Sequence, residues 1–173
     1  MTPSLALRRL MAPTSAELQQ LAALLLDAVD SGASVSFMHP LSLAHALAFW
    51  HQVAEGVARG ERALLVAEDA EGICGTVQLV LAQPDNQPHR ADLAKMLVHR
   101  RARRLGLGAA LMSAAEQAGR EAGKTLLVLD TVTGSDADRL YTRLGWQRVG
   151  EIPGYALWPQ GGLCATTYFY KAL

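Results

Sequence analysis

An arginine- and glycine-rich segment near the middle of the chain has the composition of a phosphate-binding turn. It runs from Val98 to Gly108, leaves a predicted strand and opens a predicted helix. Glycines at 106 and 108 let backbone amides face outward beside the positive end of the helix dipole. Such a turn can bind a phosphate or pyrophosphate through main-chain N–H groups. Four arginines add positive charge for further phosphates: Arg100, Arg101, Arg103 and Arg104.

The same composition also fits a solvated basic turn capped by glycine, and a short Gly-x-Gly pattern does not decide between the two. Two better-known phosphate motifs are excluded by their spacing. A dinucleotide fingerprint requires Gly or Ala where this chain has Leu111. The segment Gly119–Thr125 is one residue short of a Walker loop and runs from helix to strand, the reverse of the required order.

Three acid–base side chains lie near the ends of two predicted strands. Asp92 is at the start of the strand Ala91–Val98, Asp130 is at the end of the strand Thr125–Thr131, and Tyr141 is on the following helix. Two carboxylates that converge on a cleft could deprotonate an ammonium and attract a cationic substrate. Open α/β sheets bind ligands at the carboxyl ends of their strands, which favours Asp130. The structural alternatives are caps for the two aspartates and packing against the sheet for Tyr141.

Composition restricts the class of protein. The chain has 173 residues and a mass of 18.5 kDa, which predicts one domain over residues 1–173. Half of the residues are hydrophobic and 18% are charged, so a sizeable core is available. Sixteen basic and sixteen acidic residues give zero net charge, which argues against a nucleic-acid partner. The apolar runs are too short to span a bilayer, and no secretion signal is evident, so we expect a cytoplasmic protein.

The metal-binding and nucleophilic residue types form no pattern. The five histidines are scattered along the chain, which predicts no metal site. Cys74 and Cys164 form no CxxC pair and have no evident base partner, so we expect two reduced thiols without a covalent role.

Hydrophobic periodicity predicts one α/β domain with the element order β-α-α-β-β-β-α-β-α-β-β. Thr14 and Glu17 match a capping box at the start of the first helix. Asp69–Gly72 predicts a hairpin turn, and a strand at Trp146–Val149 is followed by a predicted excursion over Pro153–Gly162.

Two of these segments together resemble the GNAT superfamily of N-acetyltransferases. Arg103-x-x-Gly106-x-Gly108 is similar to the family's (Gln/Arg)-x-x-Gly-x-(Gly/Ala) signature, which binds the pyrophosphate of acetyl-CoA. The segment from Ala137 to Trp146 resembles the family's Ala-x-x-Leu-Tyr-x-x-x-Gly-Phe sequence. The resemblance implies a single GNAT-type α/β domain, a mixed sheet of about seven strands with flanking helices, and splayed parallel strands 4 and 5. Further segments along nearly the whole chain look like the tabtoxin-resistance group of the family.

The resemblance also implies a role for particular residues. A backbone amide near Leu97 or Val98 would face the thioester oxygen. Asp92, in place of the family's Glu, and Asp130 would serve as base, and Tyr141 would protonate the leaving thiolate. Where the family's Asn is replaced by Gly134, Ser135 or the neighbouring Asp136 would contact the cofactor's arm. The implied acetyl-CoA-binding residues are Leu97, Val98, Arg103, Arg104, Leu105, Gly106, Leu107, Gly108, Ala109 and Ser135.

We therefore expect direct acetyl transfer from acetyl-CoA to the primary amine of a small molecule, in a resistance role toward a toxin or antibiotic such as a tabtoxinine-β-lactam-like compound. Ser34–Met38 and Tyr155–Trp158 are predicted to line the acceptor pocket. A lysine acetyltransferase acting on proteins or peptides and a non-catalytic CoA-binding module are the alternatives. We expect no metal and no membrane partner, and a monomer or homodimer.

Overall fold

Seven strands form one mixed sheet, and four α-helices cover its two faces. The computed structural model describes residues 5–173, so the first four residues of the predicted domain lie outside the described residues. The strands are β1 (Ala6–Leu10), β2 (Arg62–Asp69), β3 (Gly72–Val80), β4 (Arg90–Val98), β5 (Leu126–Val132), β6 (Gln147–Leu157) and β7 (Leu163–Ala172). The helices are α1 (Ser15–Asp30), α2 (Leu43–Ala58), α3 (Leu107–Glu121) and α4 (Asp136–Arg143), with a 3-10 turn at Arg100–Ala102.

The strand order along the sheet is β1-β2-β3-β4-β5-β7-β6. All neighbours are antiparallel except β4 and β5, which are parallel. The predicted element order and the mixed α/β sheet of seven strands are confirmed. None of the helices within residues 5–173 is long and apolar enough to cross a membrane.

Helix packing follows the alternation of side chains along the central strands. Leu64 on β2 packs with the apolar faces of α1 and α2, whereas its neighbour Leu65 faces the core beneath α3 and α4. The predicted capping box at α1 is present, since Thr14 Oγ1 accepts from Glu17 N at 3.3 Å and Glu17 Oε2 accepts from Thr14 N at 2.6 Å. The two faces of the central strands therefore pack against different helices.

Strands β4 and β5 separate after a short paired region. Their pairing ends with Asp92 opposite Val128, although β4 continues to Val98 and β5 to Val132. Beyond this point the two strands no longer pair with each other. The predicted splay of parallel strands 4 and 5 is confirmed, and it creates a wedge in the middle of the sheet.

Strand β6 is longer than the sequence predicts. The chain remains paired with β7 up to Leu157, so the predicted excursion over Pro153–Gly162 is wrong for its first half. Ile152 pairs with Thr166 and Ala156 pairs with Cys164, so β6 has two more residues than β7 over this interval. Pro153 and Gly154 lie in this bulge. Pro and Gly usually end a strand, but β6 is at the edge of the sheet and pairs on one side only, and edge strands tolerate Pro and bulges.

Candidate functional site

A cavity of about 1190 Å³ opens where β4 and β5 separate. It continues from the start of α3 to the loop after α1 and the end of β6. Most of the site residues predicted from the sequence line it, including Asp130 and Tyr141. Nine of the ten predicted cofactor residues also line it: Leu97, Val98, Arg103, Arg104, Gly106, Leu107, Gly108, Ala109 and Ser135.

Leu105 and Asp92 are the predicted residues that do not line this cavity. The side chain of Leu105 is exposed and borders a smaller surface depression beside Arg101. Because a phosphate turn acts through its backbone amides, the orientation of this side chain does not bear on the prediction for Leu105. The cofactor-binding role of Leu105 and the catalytic role of Asp92 both stay predictions.

The start of α3 presents backbone amides to the cavity. Gly106 is the N-cap residue, has a positive φ of 76° and provides no side-chain cap. The first intrahelical bond is donated by Ala110 N to Gly106 O at 3.2 Å, so the preceding amides have no partner within the helix. These amides and the helix dipole form an anion-binding group.

Gly108 lets α3 approach α4 closely. A Cβ added at Gly108 would lie 3.0 Å from Leu140 Cδ2, closer than most such contacts allow. In contrast, a Cβ at Gly106 would meet no atom within 4 Å, so this position requires glycine for its backbone angle alone. The two glycines of the motif thus have different structural functions.

The structure divides the four arginines of the motif into two pairs. Arg103 and Arg104 line the cavity, and the guanidinium of Arg103 is held by Val98 O at 3.2 Å and Ser31 Oγ at 2.9 Å. Arg100 and Arg101 lie outside the cavity lining. This corrects the expectation that all four arginines supply charge for phosphates.

Carboxylates elsewhere in the fold hold the other two arginines. Arg100 donates its backbone amide to Asp27 Oδ2 at 3.0 Å and its Nε to the same carboxylate. Arg101 Nε donates to Asp69 Oδ2 at 3.0 Å, and this bond lowers the pKa of Asp69. The basic sequence segment therefore serves both the fold and the cavity.

The two predicted carboxylates have different surroundings. Asp130 lines the cavity and accepts from Thr166 Oγ1 at 2.8 Å through Oδ2. Asp92 accepts from Arg90 Nη1 at 2.5 Å and from Gln83 Nε2 at 3.1 Å, which occupies both of its oxygens. Of these two residues, Asp130 is the one with a carboxylate oxygen available to a ligand in the cavity.

Tyr141 is buried in the wall of the cavity. Its ring lies 6.1 Å from that of Trp146 and 6.0 Å from that of Phe169, centroid to centroid. Burial raises the pKa of Tyr141 well above its ordinary value, and the negative charge of Asp130 raises it further. The hydroxyl therefore keeps its proton at neutral pH and can donate it.

Ser135 lies at the start of α4 and faces the same space. Its Oγ accepts from Asp138 N at 3.2 Å, which makes it the N-cap of the helix. Ser135 lines the cavity, so one hydroxyl combines a capping function with a position beside the predicted cofactor path.

The two loops predicted to form the acceptor pocket meet over the far end of the cavity. Residues 34–38 and 155–158 all line it. Ser34 Oγ donates to Leu157 O at 2.9 Å, and His39 N donates to Pro159 O at 2.8 Å. The loop after α1 and the end of β6 therefore form a partial roof over this end of the cavity.

Sequence reasoning missed Lys95 on β4. Its backbone has a positive φ of 51°, its side chain lines the cavity, and its Nζ donates to Ser36 Oγ at 3.0 Å. The available signal is a single charged residue within the apolar stretch Leu93–Val98 of a predicted strand.

Within residues 5–173, no three or more His, Cys, Asp or Glu side chains are grouped to hold a metal ion. Cys74 and Cys164 are buried free thiols. Burial raises the pKa of Cys74 to about 11, so this thiol is a poor nucleophile at neutral pH.

Comparison with known proteins places the motif and the splayed strands in one family. The family model described as an acetyltransferase (GNAT) domain matches residues 60–148, which is about half of the chain and includes β2 to α4. The match therefore contains the α3 start, both splayed strands and Tyr141.

Solved structures share the fold over nearly the whole chain. A ribosomal-protein-alanine N-acetyltransferase from Brucella melitensis is 23% identical with a TM-score of 0.81, covering 97% of this chain and 99% of that chain. An N-acetyltransferase from Staphylococcus aureus Mu50 is 15% identical with a TM-score of 0.80, and 98% of each chain is covered. The YncA protein from Salmonella typhimurium, solved with its cofactor acetyl-CoA, is 19% identical with a TM-score of 0.78, covering 98% of this chain and 94% of that chain. The chain belongs to the GNAT acetyltransferase family.

Proposed function

We propose that the protein transfers the acetyl group of acetyl-CoA directly to the primary amine of a small molecule. The observation that carries this proposal is the composition of one continuous cavity. It joins an anion-binding helix start, a carboxylate with a free oxygen and a protonated tyrosine, with the loop after α1 and the end of β6 in contact over one end.

The donor half of the cavity fits acetyl-CoA. When bound, this co-substrate supplies an activated acetyl thioester. The first amides of α3 would hold its pyrophosphate, and Arg103 and Arg104 would neutralise the phosphate charge. The wedge between β4 and β5 would admit the thioester arm, and the backbone near Leu97 and Val98 would donate to the thioester oxygen.

The chain's side chains supply the proton transfers. Asp130 attracts the ammonium form of the acceptor and removes one proton, which leaves a nucleophilic nitrogen. The nitrogen forms the new C–N bond with the acetyl carbon as the C–S bond breaks. Tyr141 gives its hydroxyl proton to the departing sulfur and regains a proton from the acylated nitrogen. The products are an N-acetylated amine and the free thiol, and the proton on Asp130 passes to solvent.

The roof over the acceptor end supports a small acceptor. Hydrogen bonds from Ser34 to Leu157 and from His39 to Pro159 join the loop after α1 to the end of β6 and the turn that follows it. A lysine presented on a polypeptide requires an open groove for the flanking backbone, and this roof restricts such a groove. The acceptor class therefore includes small toxins and antibiotics, and we propose a detoxifying role toward a tabtoxinine-β-lactam-like amine.

A thiol-release assay with acetyl-CoA and a panel of acceptors tests this function. The panel contains small primary amines, tabtoxinine-β-lactam and lysine-containing peptides. We expect thiol release with small amines, together with an acetylated product of the expected mass. Release only with peptides would support protein acetylation instead. Acetyl-CoA binding without release for any acceptor would support a non-catalytic CoA-binding module.

The division of the arginines gives a prediction for acetyl-CoA affinity. Arg104→Ala is expected to raise the Kd about tenfold, since hydrogen bonds to charged groups contribute about 1.5–3 kcal/mol and tenfold corresponds to about 1.4 kcal/mol. Arg101→Ala is the matched control, because Arg101 lies one turn away and is bonded to Asp69. Calorimetric titration measures both values. An equal loss of affinity in the two variants would contradict the assignment.

A further inference from the structure

The side chain of Lys95 is the least satisfied of the three lysines in the sequence. Lys124 Nζ donates to the carbonyls of Leu81 and Pro88 at 2.9 and 2.8 Å. Lys171 Nζ donates to Glu116 Oε1 and to Leu144 O, both at 2.9 Å. Within residues 5–173, Lys95 Nζ donates only to the Ser36 hydroxyl, at 3.0 Å.

Lys95 is half-buried. An ammonium group has three donors and carries a full charge, so a ligand that displaces water from it must supply an anion in return. The Nζ of Lys95 lies 5.6 Å from the ring centroid of Phe49 and 6.0 Å from that of Phe37. These aromatic faces attract a cation, but they do not replace the oxygen atoms that usually accept the hydrogen bonds of an ammonium group. In the described part of the chain, no carboxylate oxygen lies within 4.0 Å of this Nζ.

The backbone of β4 is distorted at this position. Gln78 of β3 pairs with Ala94 of β4, and Thr76 pairs with Leu97. Strand β4 therefore has one more residue than β3 over this interval, which is a β-bulge. Lys95 lies in the bulge and has a φ of 51°, a conformation that lysine rarely adopts. Strained residues of this kind occur mostly at functional sites, where a bulge redirects a side chain. Here, the side chain is directed into the cavity beside the Ser34–Met38 loop.

The same cavity contains the opposite charge at Asp130. Burial lowers the pKa of Lys95, and the charge of Asp130 partly offsets this effect. The acceptor region therefore presents both a carboxylate, which suits an ammonium, and an ammonium that lacks a bonded anion. A molecule that carries an amine and a carboxylate matches both groups, whereas a simple alkylamine would leave Lys95 unpaired.

We propose that Lys95 binds a carboxylate of the acceptor, so that the preferred acceptors are free amino acids and compounds similar to them. This inference rests on the proposed function and names the acceptor class of that same site. Lys95 then determines specificity and takes no part in proton transfer. Its pairing with the acceptor carboxylate would place the acceptor amine toward Asp130.

Matched acceptor pairs test the proposal. Each free amino acid of a standard panel is compared with its α-carboxamide, which keeps the amine but removes the negative charge. We expect the wild-type protein to prefer the acid at least tenfold in kcat/KM. Lys95→Met should reduce this ratio to about one and should fold, because methionine fills the space between the aromatic rings. Lys95→Arg should restore part of the preference.

A second readout does not require turnover. Lys95 is modified by reductive methylation in the presence of N-acetylated amino acids, which resemble the product and contain no competing amine. Peptide mass spectrometry follows all three lysines, with Lys124 and Lys171 as internal controls. We expect N-acetylated acids to slow the modification of Lys95 alone, and the corresponding N-acetylated amides to have no effect.

The outcomes separate this inference from the proposed function. Equal turnover of acids and amides would overturn the carboxylate assignment while leaving amine acetylation established. An unchanged acid preference in Lys95→Met would assign the carboxylate to another residue and would also overturn it. If no small amine is acetylated, the proposed function fails, and the methylation experiment alone decides whether Lys95 binds carboxylates.

Discussion

Asp130→Asn is expected to lower kcat by about 10²–10⁴-fold, the usual contribution of a general base. Asparagine keeps the size of the side chain and an oxygen that can accept from Thr166, so the change removes the charge and the basicity with little effect on packing. The Kd for acetyl-CoA should remain unchanged. Steady-state kinetics and a binding titration on the same variant separate these two effects.

The pH dependence of Asp130→Asn provides a second test. Without a base, the variant depends on acceptor already deprotonated in solution, and the pKa of a primary amine lies above neutral pH. Its kcat/KM should therefore rise about tenfold for each pH unit below this pKa. If Asp130 removes the proton at the site, kcat/KM of the wild type should rise less steeply with pH. Equal slopes for the two proteins would exclude Asp130 as the base.

Asp92→Asn is the matched control. Both oxygens of Asp92 accept hydrogen bonds from Arg90 and Gln83, and the side chain lies outside the cavity lining. We expect kcat to change by no more than about threefold. The loss of a partly exposed ion pair should cost at most about 1 kcal/mol of unfolding free energy. A large loss of kcat in this variant, with little in Asp130→Asn, would assign the base to Asp92.

Features with strong local signals could be predicted from the sequence. The capping box at Thr14 depends on residues three positions apart, and the start of α3 depends on Gly106 and its neighbours. Each of these signals is contained within a few consecutive residues. The splay of β4 and β5 was also predicted, but from a family resemblance and not from the residues of the strands themselves.

Features that depend on partners distant in sequence could not be predicted. Arg100 and Arg103 look equivalent in the sequence, yet Arg100 bonds to Asp27 and Arg103 faces the cavity. The unequal exposure of Asp92 and Asp130 likewise depends on Gln83 and on Thr166 of a later strand. Side-chain availability is a tertiary property, so the residue types alone predicted a shared role for the two carboxylates.

Strand irregularities account for the remaining differences. The bulge at Lys95 adds one residue to β4, and the bulge at Pro153 adds two to β6. Because side chains alternate between the two faces, the one-residue bulge in β4 changes which face the following side chains occupy without changing the local composition. For this reason, the sequence predicted the right strands but missed Lys95 as a cavity residue.

Tyr141→Phe is expected to lower kcat by about 10²-fold and to leave the Kd for acetyl-CoA nearly unchanged. Phenylalanine retains the ring contacts with Trp146 and Phe169, so the change removes only the hydroxyl that would protonate the leaving sulfur. Tyr170→Phe is the control, because Tyr170 is an exposed tyrosine on β7. Its kinetic constants should match those of the wild type.

The wild-type pH profile tests the same role. Burial raises the pKa of Tyr141, so the protonated form that donates should persist at pH values where an ordinary tyrosine, with a pKa of about 10, is half ionised. We therefore expect kcat to show no decline from phenol ionisation up to about pH 10. If Tyr141→Phe keeps its turnover but loses affinity for acetyl-CoA, Tyr141 is a packing residue, and the proton for the leaving thiolate must come from another group or from water.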